Sequence, residues 1–447
     1  MSPDDILPPS LPNPFSWALH RYFPGFAAKI DARCLNAKVV RCRANYARQF
    51  WRVRRKFNSG KQMNVLFVVS ETAKWKCASV YWKLQQDKRF NVSIGVAPPE
   101  SLKDRTISGI VAQYNANCRW FSERRYECVA LYNPRRDKAF RLRKFTPDIV
   151  FYTSAWYDVR KQQPDVASQT ALTFYIPYFV PNYVDVSLDC RLDAHRLYWR
   201  HIVLNSDLAR IYSESTADRR MAGRFVALGH PMLDLIAEAA LSTKHDRRRK
   251  LVVYAPHWTI DVPGHKTQMK LSTFTANGRF ILDYARSHRE FDWAFKPHPR
   301  LYRELSEVGF MTRDEVDEYY GEWASLGKVC TDGDYAALFA MSDLMITDCG
   351  SFLSEYGSTG KPIIHLVSGR EEIVPPRSIA NVYDTYYRVR DNEELAKCLE
   401  TVLEKGLDSK AKDRQVALQK ASFANSNAAD NIYNCLYKII APAHSQG

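Results

Sequence analysis

Short apolar runs, each ending in turn residues and separated from the next by a helical length, recur in two series along this chain. That alternation leaves few folds open to it. Residues 63–70 (MNVLFVVS), 91–96, 148–153, 172–176 and 225–228 form the first series, and residues 251–255, 293–295, 328–330, 344–347 and 363–366 the second. Apolar runs without period-two alternation suit strands covered on both faces, as in a parallel sheet, and the intervening helices supply the crossovers. The pattern predicts an α/β protein of two facing Rossmann-like domains, for which 447 residues is ample. The boundaries fall at 62–243 and 244–425, with the charged stretch 244–250 (KHDRRRK) as linker and a C-terminal helix or tail over 426–447. Further helices are expected at 73–85, 392–404 and about 410–440, the last placed to brace the two domains.

Residues 1–61 have another character, with twelve Lys and Arg against three Asp in a chain of net charge +15. Leu35, Val39, Cys42, Tyr46, Phe50, Val53 and Phe57 recur at helical spacing among arginines, which predicts a basic amphipathic helix ended by Asn58, Ser59 and Gly60. Pro14, Phe15, Trp17, Tyr22, Phe23 and Phe26 precede it, an aromatic cluster suited to bilayer headgroups. The stripe could pack on its own domain with the cations in water. It could instead dock on an anionic membrane surface, where each cation adds roughly 1 kcal/mol. The charge favours the second reading, a membrane-associating segment on a peripheral protein at the cytoplasmic face of the cell membrane. No run reaches the ~18 apolar residues of a spanning helix, and residues 1–20 lack the basic start of a signal peptide. Nucleic-acid motifs are absent from the rest of the chain, so nucleic acid is not an expected partner. Ten cysteines without metal spacing point to reduced thiols, with no metal site and no cofactor.

Chemistry concentrates in three loops at predicted strand ends, where ligands of such sheets bind. In residues 345–366 (MITDCGSFLSEYGSTGKPIIHL), Asp348 turns, Gly350 allows close backbone approach and Ser351 starts a helix whose N–H groups and dipole favour a phosphate. Glu355, one turn on, can accept hydrogen bonds from ribose hydroxyls. The plain alternative makes Asp348 an ordinary N-cap. In residues 296–300 (KPHPR), two prolines stiffen a loop presenting His298 and Arg300, and a histidine there can bind phosphate oxygens or move a proton. Residues 254–258 (YAPHW) present His257, and residues 229–231 (GHP) form a hinge or cleft wall with His230.

Taken together these loops resemble the CDP-glycerol glycerophosphotransferase family, whose members polymerise teichoic acids and build phosphate-containing capsules. Its motifs YAPTW, KPHP or KLHP, and ITDYSS with an acidic residue and GKP, occur in this order after a glycine-proline motif ending in an acidic residue. Here they read 254–258, 296–299, 346–351 with Glu355 and 360–362, and 229–234 (GHPMLD). The resemblance implies the GT-B arrangement, with the donor held mainly by the second domain. By position, His298 corresponds to the histidine near the transferred phosphate and Ser351 to the phosphate-contacting serine, while Asp348 and Glu355 match the acidic positions flanking the nucleotide. His257 and Gly350 stand where the family usually has threonine and serine. The family's first-domain tryptophan-histidine-glycine run has its place at Tyr175, Ile176, Pro177, Tyr178 and Phe179, without a histidine, which leaves the base unassigned.

The resemblance implies a transferase moving glycerol phosphate, or a related polyol phosphate, from a CDP-linked donor to a surface polysaccharide or lipid-linked acceptor. Catalytic roles fall to His298 and His257, and donor binding to Arg300, Asp348, Gly350, Ser351 and Glu355. The same strand, Asp-x-Gly, helix and Glu pattern is similar to that of GT-B glycosyltransferases using nucleotide sugars and of UDP-N-acetylglucosamine 2-epimerases. A sugar transferase is therefore the alternative enzyme, and a membrane-docked assembly factor with a degenerate nucleotide fold the non-enzymatic one.

Overall fold

The computed structural model describes residues 24–99, 106–155, 159–181, 193–215, 223–242, 249–262, 270–331, 333–369, 377–421 and 427–441. The side chains of the aromatic cluster at 14–26, most of the 244–250 stretch and the tail beyond 441 lie outside them.

The first half contributes β1 (Met63–Val69), β2 (Phe90–Val96), β3 (Cys128–Ala130), an antiparallel hairpin of β4 (Tyr132–Asn133) and β5 (Lys138–Ala139), then β6 (Ile149–Tyr152), β7 (Leu172–Tyr175), β8 (Arg200–Val203) and β9 (Phe225–Ala227). All but the hairpin form one parallel sheet in the order β3-β2-β1-β6-β7-β8-β9. The second half supplies β10 (Leu251–Ala255), β11 (Asp292–Phe295), β12 (Lys328–Val329), β13 (Leu344–Thr347), β14 (Ile363–Leu366) and β15 (Tyr387–Val389), parallel in the order β12-β11-β10-β13-β14-β15. Strands β6, β7, β10, β13 and β14 are buried along their whole length, as continuous apolar runs require. The two-sheet α/β architecture follows the sequence pattern, whereas β3, the hairpin, β8 and β15 are additions to it. They are short and carry polar residues such as Arg200 and His201, so no apolar run marks them.

One apolar cluster joins the halves. Met232, Leu233 and Ile236 on the helix Pro231–Ser242 pack with Phe339, Leu353 and Tyr356 of the second half. The stretch expected as a single helix at 410–440 is two, Ala411–Lys420 and Ala428–Ile440. The second returns to the first half, burying Ala428, Ile432, Leu436 and Ile440 in its core. Asp234 fixes its start, accepting the backbone N–H groups of Ala428 at 3.0 Å and Ala429 at 2.8 Å.

The basic segment forms a helix over Pro24–Asn58, and Gly60, at φ +72°, turns the chain into β1. Its apolar stripe corrects the expectation of a membrane-facing side. Val39, Cys42, Tyr46 and Val53 are buried in the first-half core, and Leu35, Phe50 and Phe57 pack against it. Two of its cations also turn inward, Arg52 reaching the buried Asp148 at 2.6 Å and Lys56 at 2.5 Å. Arg33, Arg41, Arg48 and Arg55 remain outside, beside Val40 and Trp51, each 58% exposed. Among the described residues no helix is long and apolar enough to cross a membrane.

Candidate active site

β10 lies at the centre of its sheet with β11 on one side and β13 on the other, so the chain order reverses there. The crevice beyond the carboxyl ends of such strands is where α/β sheets bind ligands. The loops of YAPHW, KPHPR and TDCGS leave these three strands, and the structure brings them together. His257 and His298 lie with ring centroids 5.3 Å apart, Trp258 stands 6.0 Å from His298, and the Arg300 guanidinium lies over the Trp258 ring at 3.6 Å.

Three loop histidines make the same local turn, in which Nδ1 accepts the backbone N–H two residues on. His230 takes Met232 at 3.2 Å, His257 takes Thr259 at 3.3 Å and His298 takes Arg300 at 3.1 Å. An acceptor Nδ1 assigns the proton of the neutral ring to Nε2. Burial first, then the Arg300 charge, pulls the His257 pKa down to about 3. Burial likewise holds His298 well below its ordinary value, assisted by His257, Lys296 and Arg300. Both rings are therefore neutral near pH 7 and offer an Nε2–H donor, which suits phosphate oxygens and does not suit proton abstraction. His230 is committed to structure, its Nε2 bonded to the Pro177 carbonyl at 2.9 Å, so it braces the loop after β7.

Asp348 does not cap the following helix, where Cys349 is the N-cap and supplies no side-chain bond. Its oxygens are instead taken up within the domain by the His257 N–H at 2.5 Å and by the Thr273 N–H and hydroxyl at 2.7 and 3.0 Å. Burial outweighs these bonds and pushes its pKa up to about 6. Gly350 opens the helix Gly350–Gly357 and is buried, while Ser351 is half-buried, its hydroxyl 3.6 Å from Cys349 Sγ. The helix starts from the end of β13, and its N-cap residue Cys349 gives it no side-chain bond.

Glu355 is 1% exposed and faces the first half of the chain rather than an open pocket. One carboxylate oxygen accepts the Tyr335 hydroxyl at 2.6 Å, and the other accepts the Val180 N–H at 3.5 Å. Burial raises its pKa, while Lys76, Tyr335, Val180 and Lys296 oppose the rise. Lys76 enters from the loop after β1, its Nζ 2.8 Å from the Gly333 carbonyl and 4.1 Å from the Tyr335 ring centroid. Lys296 lies 5.1 Å from the same ring. Gly333 allows this approach, since a Cβ there would stand 2.6 Å from Ala73 Cα. The sequence reading left Lys76, Lys296 and Tyr335 without roles. The helix expected at 73–85 would have held Lys76, but it starts only at Ala78 and leaves Lys76 in the loop at the carboxyl end of β1.

Two parallel-sheet α/β halves that meet at their strand-end loops have the GT-B arrangement. Residues 202–438, more than half of the chain, match the model of the CDP-glycerol:poly(glycerophosphate) glycerophosphotransferase family. The chain belongs to that family and is a glycerophosphotransferase-type enzyme. No curated protein sequence matches it. Among solved structures it is similar to a protein described as a UDP-N-acetylglucosamine 2-epimerase from Listeria monocytogenes, 13% identical, with TM-score 0.50 over 84% of this chain and 96% of that one. That likeness concerns the fold alone. The UDP-GlcNAc 2-epimerase from Neisseria meningitidis is 14% identical, with TM-score 0.49 over 84% of this chain and 100% of that one. A variant of the wall teichoic acid polymerase TagF is also 14% identical, with TM-score 0.47 over 89% of this chain and 98% of that one.

Proposed function

We propose that the chain moves glycerol phosphate, or a related polyol phosphate, from CDP-glycerol or a close analogue to a surface polysaccharide or lipid-linked acceptor. Residues 244–425 hold the donor and residues 62–243 the acceptor. The observation that carries this reading is the convergence of His257 and His298, whose neutral rings offer Nε2–H donors, with the cation of Arg300 beside the helix that starts at Gly350. The acceptor hydroxyl attacks the glycerol-side phosphorus in line. A new oxygen–phosphorus bond forms, the anhydride bond breaks, cytidine monophosphate leaves with the bridging oxygen, and the hydroxyl proton of the acceptor passes to water. Catalysis of this kind rests on positioning and on stabilising developing phosphate charge. His298 and Arg300 face the transferred phosphate, Ser351 and Gly350 offer backbone and hydroxyl donors, and Asp348 holds the His257 loop in place.

Glu355 meets the donor's ribose by exchanging its long Val180 contact, 3.5 Å, for a ribose hydroxyl. The enzyme works at the cytoplasmic face of the membrane, with the outward arginines of the Pro24–Asn58 helix and Trp51 toward anionic lipid, and nucleic acid has no part in it. Removing residues 1–61 would empty part of the core, so Arg41→Glu, Arg48→Glu and Arg55→Glu together are the informative change. They should abolish sedimentation with anionic vesicles, and undiminished sedimentation would remove the membrane assignment. Calorimetric titration with CDP-glycerol, CDP and UDP, alongside Glu355→Gln, tests the donor. Cytidine binding weakened in the variant supports the reading. Preference for UDP would favour a nucleotide-sugar transferase, and no binding at all would sink the donor assignment.

A further inference from the structure

The first half carries a second strongly basic surface, outside the residues that match the family and unused by the site above. Residues 135–144 (RRDKAFRLRK) hold six cations and a single acid, Asp137. All six are exposed, and four of them, Arg135, Arg136, Lys138 and Arg141, lie on or beside the β4–β5 hairpin. The hairpin is firmly built. Asn133 Oδ1 accepts the N–H groups of Arg135 at 3.0 Å and Arg136 at 3.2 Å, and the Tyr132 hydroxyl donates to Asp137 at 2.5 Å. Gln162, buried past the end of β6, donates through Nε2 to the carbonyls of Leu131 and Phe140 at 2.8 Å each, clamping both legs of the hairpin. Arg160 and Lys161, also exposed, precede Gln162 directly and extend the patch. None of these six side chains forms an ion pair among the described residues.

Position decides what such a surface can meet. β6 lies between β1 and β7, whose end loops carry Lys76 and Val180 into the cleft. The hairpin is bonded to residues beyond the carboxyl end of β6, on the cleft side. The basic N-terminal helix instead reaches Asp148, just before the start of β6. The two basic surfaces therefore occupy opposite ends of that strand, and the patch beside the cleft is the one not on the helix.

We propose that this hairpin surface is the track on which a polyanionic acceptor chain lies while its growing end enters the cleft. The inference rests on the transferase reading above, since the acceptor named for the family, poly(glycerophosphate), carries a phosphodiester anion in every unit. A row of unpaired cations at a cleft mouth concentrates such a chain and speeds its capture.

Full-length protein and the variant Arg135→Ser, Arg136→Ser, Lys138→Ser are compared in two measurements. The first is direct binding of lipid-free, fluorescently labelled poly(glycerol phosphate). The second is cytidine monophosphate release from CDP-glycerol with a single-unit and with a long acceptor. The variant should bind the polymer at least about tenfold more weakly, and the wild type's affinity should fall with salt more steeply than the variant's. KM for the long acceptor should rise while KM for the single-unit acceptor and for CDP-glycerol stays put. Equal polymer affinity in the two proteins, or no polymer binding by the wild type, overturns the proposal. So does an unchanged polymer affinity accompanied by lost binding to anionic vesicles, which would assign the surface to a membrane. Charge-dependent polymer binding without any CDP-glycerol turnover would uphold the track while removing the transferase reading.

Discussion

The Asp348 carboxylate accepts the His257 backbone N–H at 2.5 Å, tying the end of β13 to the loop after β10. Its other oxygen takes the N–H and hydroxyl of Thr273, so one side chain knots three segments around the site. Asp348→Ala leaves these donors buried without partners. Each such loss costs about 1–3 kcal/mol, so the variant should be destabilised by roughly 3 kcal/mol, read as a lower urea midpoint. Asp348→Asn should recover only part of this, because its NH2 group faces another donor. If Asp348→Ala kept full stability and lost only donor affinity, the carboxylate would be a ligand and not a knot.

The cleft closes on a glycine. At Gly333 an added methyl would meet Ala73 Cα at 2.6 Å and the Thr72 carbonyl at 2.9 Å, both backbone atoms of the other half. Gly333→Ala must therefore hold the halves apart and lengthen the Lys76 bond to the Gly333 carbonyl, 2.8 Å in the closed form. A displacement near 1 Å at reacting groups costs about 10²-fold in rate. Turnover should fall by that order with the melting temperature nearly unchanged. Wild-type turnover in Gly333→Ala would show that chemistry does not need this closure.

What the sequence made legible was local. Apolar runs located β1, β10, β13 and β14 to within a residue or two, and the helix expected from Ser351 starts one residue earlier, at Gly350. Relations between distant segments were not legible. The stripe from Leu35 to Phe57 announces an apolar face without saying what covers it, and Arg52 meets Asp148 at a separation of 96 residues. Glu355 lies one helical turn from Ser351 as expected, yet it turns toward Tyr335 and Val180, 20 and 175 residues away. Periodicity and spacing describe one element at a time, and these contacts depend on how two sheets face each other.

Asp234 shows the same limit at the domain boundary. It ends the GHPMLD run, and its carboxylate caps the helix Ala428–Ile440 nearly two hundred residues later. Asp234→Ala should cost about 1–2 kcal/mol through the lost cap. It should also loosen the helix from the first-half core, exposing residues near 427 to proteolysis under native conditions. Protease resistance equal to the wild type would mean that the packing of Ile432 and Leu436 holds the helix without its cap.

Acid should destabilise the fold through its buried histidines. Burial lowers the pKa of His230 to about 4 and of His257 and His365 to about 3, and it holds His201 well below 6.5. The unfolded chain takes up these protons first as pH falls through 6.5. The stabilisation is therefore complete above that value and is lost on descent toward pH 3–4, at up to about 1.4 kcal/mol per pH unit for each histidine. Asp348, with its pKa raised to about 6, has the opposite sign, since the fold favours its protonated form and this contribution fades as pH rises from 3.8 to 6. With His298 counted, five depressed histidines outnumber the raised carboxyls of Asp348, Glu355 and Glu238, and the melting temperature should drop between pH 6.5 and 5. A flat profile over that range would contradict the burial of these rings as neutral species. Activity should behave differently, because His298 stays neutral through the same window and acts through its Nε2–H. His298→Ala should lower turnover at least about tenfold with the fold intact, and His298→Asn, which keeps an N–H donor, should recover part of it. An acidic limb with its midpoint near pH 6.5 that disappeared in His298→Ala would instead identify a titrating base at this position.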